Sequence, residues 1–137
     1  MNRILLIIFI SLASFSLVAQ NNNDKTEYKG DGIYFKFINP ETSEVVNKVP
    51  LGKEPYIYYD TFFKRYDIFW KGSDGGDETM SLTYIMEEGE YVKMKDKFGN
   101  TFMVFDYIKK SNSLVIMHDK MGNGMIICTV VEGVKKL

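Results

Sequence analysis

The chain has one cysteine, three prolines, one histidine and one tryptophan in 137 residues. The single thiol, Cys128, excludes an intramolecular disulfide, so the core must hold the domain together without staples. The single histidine, His118, excludes a zinc site unless carboxylates or the thiol join it. Charge of one sign is also missing: 17 Lys+Arg stand against 18 Asp+Glu, mixed along the chain. That balance gives no electrostatic reason to bind nucleic acid or an anionic membrane. Helical periodicity is nearly absent beyond residue 20, and alternation with turn signals takes its place.

The one long apolar run, Ile4 to Val18, is shorter than the ~20 residues of a spanning helix. Arg3 precedes it, and Ala19 and a polar stretch follow. This is the pattern of a secretory signal peptide over residues 1–19, cut near Ala19 or after Gln20. No cysteine follows the run, so a lipid on a new N-terminal cysteine is not expected. Removal of 19 residues from 137 leaves 118 and takes Arg3 away, so 16 Lys+Arg face 18 Asp+Glu. The expected organisation is a polar tail over 20–30 and one β domain over 31–137. The expected compartment is periplasmic or extracellular, and no membrane insertion is expected after cleavage.

Aromatic residues make up 15% of the chain, and large rings bury much area each. Two stretches nearly repeat: "KDKFGNTFMVF" from Lys95 and "HDKMGNGMIIC" from His118. In Asp96-Lys97-Phe98-Gly99, Asp suits the first position of a type I turn and Gly the left-handed one. A hairpin with a glycine bulge follows, pairing Met94 with Phe102 and Val92 with Val104. The same reading of Asp119-Lys120-Met121-Gly122 pairs Met117 with Met125, Val115 with Ile127 and Cys128 with Leu114. The two loops then share one end of the structure. Gly89 pairs Tyr84 with Val92 and Leu82 with Met94. Across "GSDGGDE", Trp70 faces Met80, Ile68 faces Leu82 and Tyr66 faces Tyr84. One face of six antiparallel strands, at 64–71, 79–86, 90–95, 101–108, 113–118 and 124–132, is then apolar throughout.

Three upstream strands, at 32–38, 44–49 and 55–60, bring the number to eight or nine, with a short helical turn expected at "TFFK". The fold class is all-β: an up-and-down antiparallel meander forming a closed or nearly closed barrel, or alternatively a two-sheet sandwich. The architecture resembles lipocalin-type barrels, although no Gly-x-Trp opens the first strand, so the likeness is one of fold alone. The opposite face is polar early (Asp67, Lys71, Thr79, Ser81, Thr83, Lys93, Lys95). It is apolar late (Met103, Phe105, Tyr107, Leu114, Ile116, Ile126, Cys128, Val130). Such a late face needs a cover, from the N-terminal strands or from a partner.

Chemistry-bearing constellations are few. Each Asp-Lys-x-Gly-Asn residue has a turn role. "GSDGGDE" lacks the spaced oxygen ligands of a calcium loop. The expected register separates Cys128 from His118 by about 13 Å, too far for a nucleophile and its base. No catalytic residue, metal or cofactor is implied, and the chain is expected not to be an enzyme. Tyr56, Tyr58, Tyr66, Trp70 and Tyr84 are candidate lumen residues for a small apolar or aromatic ligand. The expected function is a secreted binding module. The alternative is an envelope interaction module, such as an inhibitor, an immunity protein or an assembly component. It would bind a protein partner or a second copy through the patch at Phe105, Ile116 and Val130.

Overall fold

A computed structural model describes residues 24–137. The signal peptide expected at 1–19 lies outside these residues. The barrel is built from β1 (Lys25–Lys29), β2 (Gly32–Ile38), β3 (Val45–Asp60), β4 (Arg65–Gly72), β5 (Asp77–Glu88), β6 (Tyr91–Lys95), β7 (Thr101–Tyr107), β8 (Ser113–His118), β9 (Ile126–Glu132) and β10 (Lys135–Lys136). One helical turn, α1 (Ile108–Ser111), joins β7 to β8. The strands pair in the order β3-β2-β9-β8-β7-β6-β5-β4, and β4 pairs back onto β3. Eight strands therefore close a barrel, as the meander pattern predicts, and closure leaves no sheet edge along most of the wall.

The two short strands continue the wall. β1 lies end to end with β2 along β3, and β10 follows β9 to pair with β1. Gly30 N–H donates to the Pro55 carbonyl at 2.9 Å and Asp31 N–H to that of Glu132 at 2.8 Å, bridging the break. Residues 25–29, expected as tail, are thus barrel wall. Their alternation explains this: Tyr28 turns inward opposite Ile57, and its charged neighbours turn outward. The strands expected at 44–49 and 55–60 are one, β3, which pairs with β2 over its first half and with β4 over its second. The partners change at Gly52, which is paired with both Ile33 and Gly72. "TFFK" is a turn without a helix, held by Asp60, whose carboxylate accepts N–H bonds from Phe62 and Phe63.

Registers differ from expectation in instructive ways. Met94–Phe102 and Val92–Val104 pair as expected. Between β4 and β5 the pairs are Tyr66–Leu82 and Ile68–Met80, a shift of two residues that keeps both sets on one face. The loop is tighter because Gly72 N–H bonds to the Gly76 carbonyl, and Asp74 caps Gly76 N–H at 2.9 Å. A bulge at Ile85 shifts β5 against β6, giving Tyr84–Met94 and Glu87–Val92.

The β8–β9 register departs furthest from expectation. Leu114 pairs with Val131, Ile116 with Thr129 and Met117 with Cys128. The turn is at Asn123-Gly124, with φ of 53° and 72°, between Gly122 and Met125, which bond to each other. Two consecutive left-handed residues make a type I′ hairpin, the turn that Asn-Gly favours most. The first loop has Thr101 after its asparagine where the second has Gly124. A β-branched residue resists that conformation, so nearly identical sequences turn differently. The inward set of β8 is therefore Leu114 and Ile116, while Val115 and Met117 face out.

The interior is filled. Ile33, Ile57, Tyr66, Ile68, Leu82, Met94, Phe102, Val104, Leu114, Ile116 and Val131 form one buried cluster. Trp70, Met80, Val92, Tyr59 and Tyr28 pack against it, and Ile108 of α1 and Val134 extend it at one end. We call this the α1 end. The other, the loop end, carries the turns at 39–44, 73–76, 96–100 and 119–125.

Candidate functional site

The five candidate lumen residues do not converge. Tyr56 pairs with Phe69, and Tyr58 with Asp67. Both tyrosines point out of the barrel, because strand alternation assigns the interior to Ile57 and Tyr59. Tyr66 is inward and buried, and its hydroxyl donates to Asp106 Oδ2 at 2.7 Å. Burial, and next the Asp106 charge, raise its pKa well above the usual phenol range. Tyr84 lies inward near the α1 end with the Lys64 ammonium 4.5 Å from its ring centroid. Trp70 packs on the core at the loop end, against Gly52. The tyrosines that join the core cluster are Tyr28, Tyr59 and Tyr66. Tyr28 and Tyr59 escape sequence reasoning because residues 20–30 read as a polar tail and β3 reads as two strands.

The largest of the five principal clefts, about 630 Å³, opens at the loop end. Its lining includes Met80, Phe102 and His118 as a floor, with Asp96, Asn100, Thr101, Asp119 and Lys120 around the rim. None of the five clefts is lined by Tyr66, Trp70 or Tyr84. A volume of this size lies within the ~300–1,000 Å³ of small-molecule sites.

The rim is built by the repeated loops. Asp96 Oδ1 accepts the N–H groups of Phe98 and Asn100, each at 2.9 Å, and Oδ2 accepts the Asn100 amide at 3.0 Å. Burial alone would raise the pKa of this carboxylate; the hydrogen bonds outweigh it and hold the pKa below the usual value. The second loop is tied to the first: Thr101 Oγ1 hydrogen-bonds to Asp119, and Asp119 N–H donates to the Thr101 carbonyl at 3.3 Å. The shared end expected from strand parity is thus observed.

His118 sits inward, opposite Phe102. Its Nε2 is 2.9 Å from Thr129 Oγ1, and its ring makes edge contacts with Phe35 and Phe102 at 5.8 and 5.1 Å between centroids. Burial lowers its pKa from 6.5. The unfolded chain then binds a proton that the folded chain refuses, so stability falls as pH drops below about 6.5 and levels off below the folded pKa. Urea denaturation across pH 5–7 should show this slope, and His118→Gln should flatten that part of it.

Cys128 faces outward opposite Met117 and Lys36, on the other side of the wall from the imidazole. Burial pushes the thiol up to about 11, so it stays protonated near neutral pH. Among the described residues no group of three His, Cys, Asp or Glu side chains is placed to hold a metal ion. In "GSDGGDE", Asp74 caps its own turn and Asp77 pairs with Lys71.

Two of the three outer-patch residues, Ile116 and Val130, are buried, and Phe105 is half-buried. Ile116 is fully buried inside the barrel, because the Asn123-Gly124 turn reverses the expected faces of β8. Phe105 and Val130 do face out, and they belong to a longer row. Phe105 pairs with Val115, Val115 with Val130, Val130 with Tyr34 and Tyr34 with Pro50. Tyr91 extends the row, its ring 5.5 Å from that of Phe105. Met103, Met117 and Cys128 form a second row beside it. The opposite side of the barrel carries Arg65, Asp67, Ser81, Thr83 and Lys95. The centre of this side is closed over by its neighbours, Val130 being 4% and Cys128 1% exposed, while Phe105, Val115 and Tyr34 are half-buried around it. Comparisons of the chain with protein-family models, curated proteins and solved structures found no match.

Proposed function

We propose that the protein is a non-enzymatic binding module of the exported compartment, holding a small apolar or aromatic ligand at the loop-end mouth of the barrel. The carrying observation is the half-open cleft over Met80, Phe102 and His118, above an interior that is already filled. The floor offers apolar area, and the rim offers a few fixed polar groups, the usual division of labour in small-molecule sites. Export rests on the signal-peptide pattern of residues 1–19. Methionine-methyl NMR tests the reading. A neutral apolar aromatic probe, N-phenyl-1-naphthylamine, should shift the Met80 methyl and leave the core Met94 methyl in place. Perturbation of Met94 alone, or of neither, contradicts it. Met80→Glu should weaken the probe's affinity about tenfold, by placing a charge in the floor.

A second reading is supported by the half-buried outer row from Tyr91 to Pro50, in which Tyr91, Phe105, Val115 and Tyr34 keep part of their apolar surface in water. A contiguous apolar strip on one side of a polar barrel suits contact with a protein partner. Phe105→Lys should abolish a co-purifying partner while changing stability by about 1 kcal/mol or less. A thermal melt alongside the pull-down separates loss of the partner from loss of the fold.

A further inference from the structure

The most exposed large apolar side chains at the loop end are Phe98, 77% exposed, and Met121, 54% exposed. They lie on the two loops joined by the Thr101–Asp119 contact. Each follows a lysine, Lys97 or Lys120, and the Lys97 ammonium lies 5.2 Å from the Phe98 ring centroid. The acidic member of each loop is turned back into the loop framework: Asp96 is bonded by its own turn and Asp119 by Thr101. What projects is therefore an apolar tip on each of two neighbouring loops, with an ammonium group over the Phe98 ring and a lysine next in sequence to Met121. Val45 and Val46, each 53% exposed, begin β3 beyond the 39–44 turn at the same end.

We propose that these two loops seat the protein on a phospholipid surface, with Phe98 and Met121 entering the headgroup–acyl boundary and Lys97 and Lys120 meeting lipid phosphates. Shape favours lipid over protein. Phe98 and Met121 project from hairpin turns and line none of the five clefts, so a protein partner would need a matching pit for each, whereas a fluid interface accepts them without complementarity. The overall charge supplies no attraction, and Glu41, Glu44 and Asp74 lie on the flanking turns. Binding is therefore carried by the tips and stays weak and reversible, as expected for small buried apolar areas. The proposal rests on the exposed tips Phe98 and Met121, which line no part of the ligand cleft, although Lys120 stands on the rim of that cleft as well.

Tryptophan depth-probing tests it in the full chain. Phe98→Trp should give blue-shifted emission with phosphatidylcholine/phosphatidylglycerol vesicles, and brominated lipid should quench it. Phe69→Trp, exposed on the outer wall of β4, should show neither change. Trp70 is common to both variants and is subtracted with the parent protein. All proteins carry the same N-terminus, so any membrane affinity of residues 4–18 is shared. Adding Met121→Ser to Phe98→Trp should raise the lipid concentration for half-maximal quenching about tenfold. The proposal is overturned if the emission of the Phe98→Trp variant is unchanged at saturating lipid, or if the Phe69→Trp variant is quenched equally.

Discussion

Lysine at position 116 is expected to unfold the barrel, whereas lysine at position 115 leaves it folded. The two residues are neighbours on β8 and similar in size and apolarity. Ile116 has no exposed surface and packs in the central cluster between Val104 and Thr129. An ammonium group there has no carboxylate partner, and an unpaired buried charge costs several kcal/mol, about as much as a small domain's whole stability. Val115 is half-buried on the outer wall, where a lysine stem can lie along Phe105 and Val130 with its charge in water. The cost there should be about 1 kcal/mol. Circular dichroism melts of Ile116→Lys and Val115→Lys distinguish the two faces. A reversed order of damage would restore the register that the Asp-Lys-Met-Gly turn predicts.

Gly52→Ala is expected to be the most damaging single-methyl change in the wall. At this residue β3 leaves β2 for β4, and the backbones approach closely. A Cβ at this position would overlap the Lys71 carbonyl oxygen and lie 2.7 Å from Trp70 Cδ1. Neither obstacle is the free end of a flexible chain, so the β3–β4 pairing must open. Overpacking of this kind costs about 3 kcal/mol. Gly75→Ala is the control. Its φ of 82° strains alanine, but nothing lies within 4 Å, so the loss should be about 1–2 kcal/mol. Urea unfolding of the two variants gives the comparison, and Trp70 reports the site directly.

Much of this barrel is legible in the sequence because glycine, aspartate and alternation agree. Gly99 sets the β6–β7 register, and the inward set Tyr66, Ile68, Leu82, Met94, Phe102 and Val104 follows from parity alone. A two-residue register shift across 73–76 does no harm, because side-chain period is two. The failure on β8 has a local cause. Both of its faces are apolar, so hydrophobic pattern cannot choose between Ile116 and Val115, and the turn has to decide. The repeat of Asp-Lys-x-Gly-Asn draws attention from the Asn-Gly pair one step on. The candidate site is less legible. Tyr56 and Tyr58 are expected inside because β3 reads as two strands with unassigned faces. The mouth over Met80, Phe102 and His118 depends on loops meeting across the barrel end, which no local pattern encodes.

The central physical claim is that the barrel interior is solid, so that any ligand binds at the mouth. Crystals of the protein pressurised with xenon test this most directly, because xenon enters dry apolar voids. Xenon should appear only at the loop end, near Met80 and Phe102. A xenon atom among Ile57, Ile68, Leu82, Met94 and Ile116 would show a hollow lumen and contradict the claim.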